Sequence, residues 1–388
     1  MRRLLALLPL ALATGCMGIP IHARTQPKPL PAPSDALRYE WVEVAAEEGV
    51  TLRGVYADSG GPPVLLLYGS GMGIAGSMEA IQMLHDGGYS VLCCDYRGTG
   101  YSSGRWWTSR RLDDDARALW EWLLREKGAP AGVVGISIGT IGAASLLDHA
   151  SPPAAAVLDR PIDPRTVIYR YLAKHVGAVG GAVARAFVRP KCDVKMREQL
   201  ARAKAPTLLT LPEHDILCPP EDVERMIGGR SAAVSKVTLR GGHLSTHLVD
   251  PTAWRSAVLD FLDLHLRPGA PPGGGRTVPP DPFRVLSAEI EGRRLRVAFQ
   301  VSPPPGRVTV LLCGEKANAC VIFEDPRQAA TIELPWRDVR RIGPLFGARA
   351  VPESFRRAIG TRWINGHPSP GPPVRWATPP AHWPAPRG

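Results

Sequence analysis

A serine between two glycines, Gly-Ile-Ser-Ile-Gly at residues 135–139, constrains this chain more than any other feature. Ahead of it an apolar run at 131–134 reads as a buried strand, and behind it residues 140–147, rich in Ala, Ile and Leu, suit a packed helix. A glycine two residues to either side of Ser137 removes Cβ atoms that would collide in so sharp a strand-to-helix turn. Such a turn lifts the hydroxyl to the carboxyl edge of a sheet and aims a helix N-terminus at it. The five residues alone are a weak pattern, and the bland alternative is a small residue in a tight turn. Context decides.

That context is ordered. Residues 64–68 (VLLLY) read as a central strand and run into the glycine-rich Gly69–Gly73, a loop able to bring a backbone N–H near a developing oxyanion. Residues 90–95 (SVLCCD) lead into Tyr96-Arg97-Gly98-Thr99-Gly100-Tyr101-Ser102-Ser103-Gly104. Downstream, 207–211 (TLLTL) precede Pro212-Glu213-His214-Asp215, and 236–239 precede Gly241-Gly242-His243. Taken together, residues 36–267 resemble an α/β-hydrolase of the serine-hydrolase branch, whose strands end in HGNxGN, DYRGxGxSxG, GxSxG, an acid loop and GxH. The resemblance implies Ser137 as nucleophile, Asp215 as acid and His243 as general base, with the backbone N–H groups of Ser70 and Ile138 as the oxyanion hole. Tyr68 departs from the family, which usually has His there, and Pro212-Glu213 stand where a Gly is common.

The chemistry explains the residue types. A serine hydroxyl is a poor nucleophile until an imidazole takes its proton, and a carboxylate must hold that imidazole in the right tautomer. Asp159, after an expected strand at 155–158, is a rival acid, and His214 and His247 are rival imidazoles. His243 and His247 lie four apart, as on a metal-binding helix face, but no third ligand is spaced to complete a site. Neither metal nor cofactor is expected.

The N-terminus suggests an address. Arg2 and Arg3 precede an apolar core at 4–13, and Ala13-Thr14-Gly15-Cys16 resembles a bacterial lipoprotein processing box. The apolar core falls short of the ~20 residues that span a bilayer, so residues 1–15 read as a signal peptide with lipid placed on Cys16. A plain secretory signal is the alternative. Met17 stands where an inner-membrane retention aspartate is often found, which favours the outer membrane of a bacterial envelope. Residues 16–35 read as a proline-rich tether lifting the enzyme off the membrane.

Alternating apolar strands and helical runs over 36–267 indicate a mostly parallel, doubly covered sheet, entered through a hairpin at 39–44 and 50–56. Residues 113–127 and 252–264 read as amphipathic helices. Within this domain 161–205 looks inserted, with an apolar middle fit either to cap the substrate edge or to pack on the sheet. Residues 268–282 form a Pro/Gly linker, and 283–388 read as a small all-β appendage, with strands at 286–291, 295–301, 307–313 and 320–323 and an irregular tail from 336. Cys313 and Cys320 bracket a hairpin turn and are a candidate disulfide, Cys192 and Cys218 a weaker one. The net charge of +11 is scattered without basic–aromatic runs, so nucleic acid is not implied.

The sequence thus leads to a membrane-anchored serine hydrolase acting on a small-molecule or lipid-like carboxylic ester or thioester. A peptidase of the same fold, or a non-catalytic envelope binding lipoprotein, are the alternatives.

Overall fold

Five-residue apolar runs at Pro63–Leu67, Ser90–Cys94, Gly132–Ile136 and Ala155–Asp159 are buried along their whole length. Strands of that kind need cover on both faces, which a parallel sheet flanked by helices supplies. The computed structural model describes residues 26–105, 110–128, 130–163, 196–215, 217–228, 231–243, 246, 251–269, 285–299, 307–314, 318–324, 329–342, 345–351, 362–364 and 377–384. With β1 (Glu40–Ala45), β2 (Thr51–Ala57), β3 (Pro63–Leu67), β4 (Ser90–Cys94), β5 (Gly132–Ile136), β6 (Ala155–Asp159), β7 (Thr207–Pro212) and β8 (Val234–Leu239), the main sheet runs β1-β2-β4-β3-β5-β6-β7-β8. β1 and β2 form the expected antiparallel hairpin, β2 pairs antiparallel with β4, and the remaining pairs are parallel.

The flanking helices are α1 (Gly73–Asp86), α2 (Arg110–Lys127), α3 (Gly139–Ser145), α4 (Met196–Arg202), α5 (Pro220–Met226) and α6 (Pro251–Leu266). In α2 the buried set is Leu112, Ala116, Leu119, Trp120 and Leu123, a stripe at helical spacing. Asp113 stands in its first turn and Arg125 and Lys127 in its last, the sense that complements the helix dipole. In α6 the stripe is Trp254, Val258, Leu262 and Leu266. Each such aliphatic side chain removed from water stabilises the fold by roughly 1.5–3 kcal/mol. An ion pair inside the core, Arg97 Nε to Asp115 Oδ1 at 2.5 Å, ties the loop after β4 to α2.

Two expectations need correction. The tether is expected to extend to residue 35, yet between Pro27 and Pro31 the chain touches the hydrolase. Leu30 is fully buried, Tyr101 Oη donates to Lys28 O at 2.8 Å, and Tyr39 Oη donates to Pro31 O. Prolines cannot donate, but their carbonyls accept, so this strip docks through acceptors and the buried side chains of Pro27 and Leu30. The region from 336 is likewise not all irregular tail. It holds α7 (Trp336–Ile342) and two more strands, and residues 377–384 return to the hydrolase core. Ala377 N–H donates to Leu30 O at 2.8 Å, so the two terminal strips hold each other.

Trp383 anchors that return. Its ring meets Trp41 and Tyr101 at centroid distances of 5.0 and 5.5 Å, and its indole N–H donates to Glu43 Oε1 at 2.7 Å. Removing a buried aromatic of this size costs about 3–5 kcal/mol. Trp383→Ala is therefore expected to lower the unfolding free energy by that much and to shift the urea midpoint downward, read by tryptophan-independent far-UV circular dichroism. An unchanged midpoint would mean the tail adds nothing to the hydrolase.

The C-terminal region has its own core. Strands β9 (Val285–Glu291), β10 (Arg294–Phe299) and β13 (Ala329–Glu333) form one antiparallel sheet. Strands β11 (Arg307–Gly314), β12 (Asn318–Glu324), β14 (Leu345–Val351) and β15 (Arg362–Ile364) form another, with β12 and β15 parallel. Leu295, Val297, Val310, Leu312, Val321, Leu334 and Ile342 meet between them. β11 and β12 make the hairpin expected around Cys313 and Cys320, with Cys313 opposite Asn318 and Cys320 opposite Leu311. The two cysteines therefore stand diagonally in register; their side chains lie outside the described residues.

Cys16, the signal peptide and Cys192 also fall outside, as does the middle of the 161–205 insertion. Of that insertion, α4 buries Met196 and Leu200 in the hydrolase core, so its last part packs on the domain.

Candidate active site

Strand β5 stops at Ile136 because the next residue leaves the extended region: Ser137 has φ 53°. A left-handed non-glycine residue costs about 1–3 kcal/mol, and such strain gathers at functional positions. The two glycines make the bend sterically feasible. A Cβ on Gly135 would stand 2.7 Å from Gly139 O and 2.8 Å from Ala143 Cβ, and one on Gly139 would stand 2.1 Å from Leu67 O. The turn is then held by Ser137 N–H donating to Asp159 O at 2.8 Å and by Thr140 Oγ1 donating to Ser137 O at 2.6 Å.

The structure brings Ser137, His243 and Asp215 together, though 78 residues and more separate the serine from its partners. Ser137 Oγ lies 2.7 Å from His243 Nε2, and His243 Nδ1 lies 2.6 Å from Asp215 Oδ2. An ionised carboxylate only accepts, so Nδ1 carries the proton and Nε2 is left as acceptor for the serine hydroxyl. The loops after β7 and β8 are fastened side by side, with Glu213 N–H on Leu239 O and His214 N–H on Gly241 O, both at 3.0 Å. Asp215 Oδ1 accepts the N–H groups of Leu217 and Cys218, each at 2.9 Å, which frees Oδ2 for the imidazole. Pro219 and Pro220 then open α5, proline at a helix start losing no bond.

The rivals are placed elsewhere. Asp159 is fully buried at the end of β6, where it pairs with Arg160 (Nη2 to Oδ2, 2.7 Å) and accepts Thr210 Oγ1, not His243. His214 is exposed beside Glu213. His247 lies outside the described residues. Among the described residues no group of three His, Cys, Asp or Glu is placed to hold a metal ion.

The loop expected to carry one oxyanion donor crosses the nucleophile closely. A Cβ on Gly69 would lie 3.4 Å from Ser137 Cβ, so Ser70 and Ile138 are the chain neighbours of two residues in contact. Tyr68, in place of the usual His, builds a network under this loop. Its hydroxyl donates to Asp95 Oδ1 at 3.1 Å and accepts Tyr96 N–H at 3.1 Å, while Tyr96 Oη donates to Tyr68 O at 2.8 Å. Asp95 also accepts Ile74 N–H at 3.1 Å and Tyr101 N–H at 2.9 Å. One carboxylate thus fastens the start of α1 to the loop after β4. Gly100, with φ +50°, comes so near that a Cβ would meet Asp95 Oδ2 at 1.9 Å. The sequence shows Asp95 and Tyr68, but not that they meet.

Burial pushes the Asp95 carboxyl up from the ordinary 3.8 to about 6, the three donors pulling the other way. Folding therefore favours its protonated form. The resulting stabilisation is fully present below pH ~4 and is lost as pH rises through about 6. A two-unit rise corresponds to about 3 kcal/mol. Between pH 4 and 7, Asp95→Asn is accordingly expected to lose about 2–3 kcal/mol less stability than wild type, measured by urea unfolding at both pH values. Equal losses would show that the buried carboxyl titrates as it does in the unfolded chain.

The strand order, the sharp turn after β5 and the His and Asp loops after β8 and β7 define the α/β-hydrolase fold. A family model described as alpha/beta hydrolase fold matches residues 62–210. An uncharacterized protein of Mycobacterium tuberculosis is 29% identical over 239 residues, covering 57% of this chain and 78% of that protein. Lysophosphatidylserine lipase ABHD12 of Danio rerio is 29% identical over 175 residues, 41% of this chain and 44% of the lipase. Among solved structures, an esterase of Pyrococcus furiosus superposes with a TM-score of 0.53 at 24% identity, covering 62% of this chain and 99% of the esterase. At that identity the likeness speaks for the fold alone.

Proposed function

We propose that the chain is a serine hydrolase that cleaves carboxylic esters or thioesters through an acyl-enzyme. The observation that carries this reading is the unbroken hydrogen-bonded chain from Ser137 Oγ through the His243 ring to Asp215. Ser137 Oγ attacks the carbonyl carbon while His243 Nε2 takes its proton, and Asp215 stabilises the imidazolium. The tetrahedral oxygen is stabilised by the N–H groups of Ser70 and Ile138. His243 returns the proton to the departing alkoxide or thiolate, leaving acyl-Ser137, and the same ring then activates water to release the acid.

The lipase among the similar proteins supports a lipid-like ester as the substrate class. Lipid on Cys16 would hold the enzyme at an outer-membrane surface, where such esters are concentrated. A fluorophosphonate probe tests the chemistry: wild type is expected to be labelled and Ser137→Ala not. No labelling of wild type would favour the non-catalytic scaffold.

A further inference from the structure

The end of β6 holds an arrangement that the acyl-transfer steps leave unused. Among the described residues, three that are not glycine have positive φ: Glu48 in the β1–β2 hairpin, Ser137 and Arg160 at φ 56°. The last two follow strand partners, since Ile136 and Asp159 are opposite in register. Arg160 is buried, with 5% of its side chain exposed. Its Nη1 donates to the backbone oxygen of His243 at 2.9 Å, and its Nε and Nη2 reach Asp159 Oδ2 at 3.0 and 2.7 Å. Asp159 O accepts Ser137 N–H at 2.8 Å, and Arg160 N–H donates to Thr210 O at 2.9 Å. One dipeptide therefore holds the main chain of both the serine and the histidine.

We propose that Arg160 is a positioning residue: its guanidinium, neutralised by Asp159, fixes the His243 carbonyl and so sets the approach of the imidazole to Ser137. The proposal rests on the acyl-enzyme reading. A glycine would relieve the left-handed backbone, and an apolar side chain would avoid burying an ion pair. Neither could grip a carbonyl on one side and a carboxylate on the other, which the planar fork of arginine does. Lysine, with a compact ammonium on a flexible stem, lacks the fixed fork that sets the direction of both bonds.

The test uses the full chain with Arg160→Lys and with the double substitution Asp159→Asn/Arg160→Met, which removes both charges so that no lone buried charge remains. With a p-nitrophenyl ester, kcat of the double variant is expected to fall about 10- to 100-fold with KM within about twofold, the scale of a small misplacement of a catalytic group. Arg160→Lys should lie between it and wild type. The low-field proton resonance of the His243 Nδ1–H bond to Asp215 should broaden or vanish in the double variant. A natively folded double variant with kcat within about twofold of wild type would overturn the positioning role, even while Ser137→Ala stays inactive. If the double variant does not fold, a wild-type kcat in Arg160→Lys overturns it and a lowered one upholds it. If wild type neither hydrolyses esters nor takes up the fluorophosphonate, the acyl-enzyme reading fails, and the resonance alone decides for Arg160: unchanged in the variants, it overturns the proposal.

Discussion

Ser137→Ala is expected to lower kcat for an activated ester by about 10⁶-fold, with His243→Ala close behind and the double variant no worse than either single one. The reason is geometric. The hydroxyl and Nε2 are 2.7 Å apart and share one proton, so removing either leaves the other without a task. What survives is the contribution of substrate binding and of the oxyanion donors proposed at Ser70 and Ile138, which alanine at 137 leaves in place. Asp215→Asn should cost about 10⁴-fold, because an amide can turn its NH₂ towards Nδ1 and drive the imidazole into the wrong tautomer. Steady-state kinetics at saturating ester read all four variants. If the two single losses multiply in the double variant, serine and histidine act independently and the shared-proton account is wrong.

Much of this site could be read from residue order alone, for a physical reason. A nucleophile at a sharp turn needs glycines at fixed offsets, and a parallel sheet needs apolar runs of strand length, so both leave local marks. Ser137, its flanking glycines and the strands at 64–68 and 207–211 are visible in that way. Loops that carry acid and base follow their strands directly, so Asp215 and His243 are legible once the strands are found. Contacts between distant segments leave no such mark. Nothing local tells that Tyr68 meets Asp95, that Arg160 reaches over the sheet edge to the His243 carbonyl, or that Trp383 folds back on Trp41. The one signal for Arg160 is a charged residue placed directly after five buried ones, followed by Pro161. The proline-rich strip near Leu30 misleads in the opposite sense: its composition suits an extended tether, while its carbonyls and single leucine find partners in the fold.

Gly139→Ala is expected to abolish the fold and the site together, at a cost above about 4 kcal/mol. The added Cβ would stand 2.1 Å from Leu67 O, 2.6 Å from Leu67 C and 2.9 Å from Tyr68 O, all main-chain atoms. Leu67 cannot retreat, because it is the last residue of central strand β3 and lies opposite Gly135 of β5 in register. The only relief is for α3 to move off the sheet, and α3 begins two residues after Ser137, so the hydroxyl would leave the reach of His243. Gly71→Ala separates this overlap from mere backbone preference. Gly71 has φ +77° but no atom within 4 Å of its notional Cβ, so alanine there should cost only about 1–2 kcal/mol. Expression of both variants, with urea midpoints and fluorophosphonate labelling of the soluble fraction, reads the contrast. A soluble, labelled Gly139→Ala with a near wild-type midpoint would mean that α3 does not press on β3.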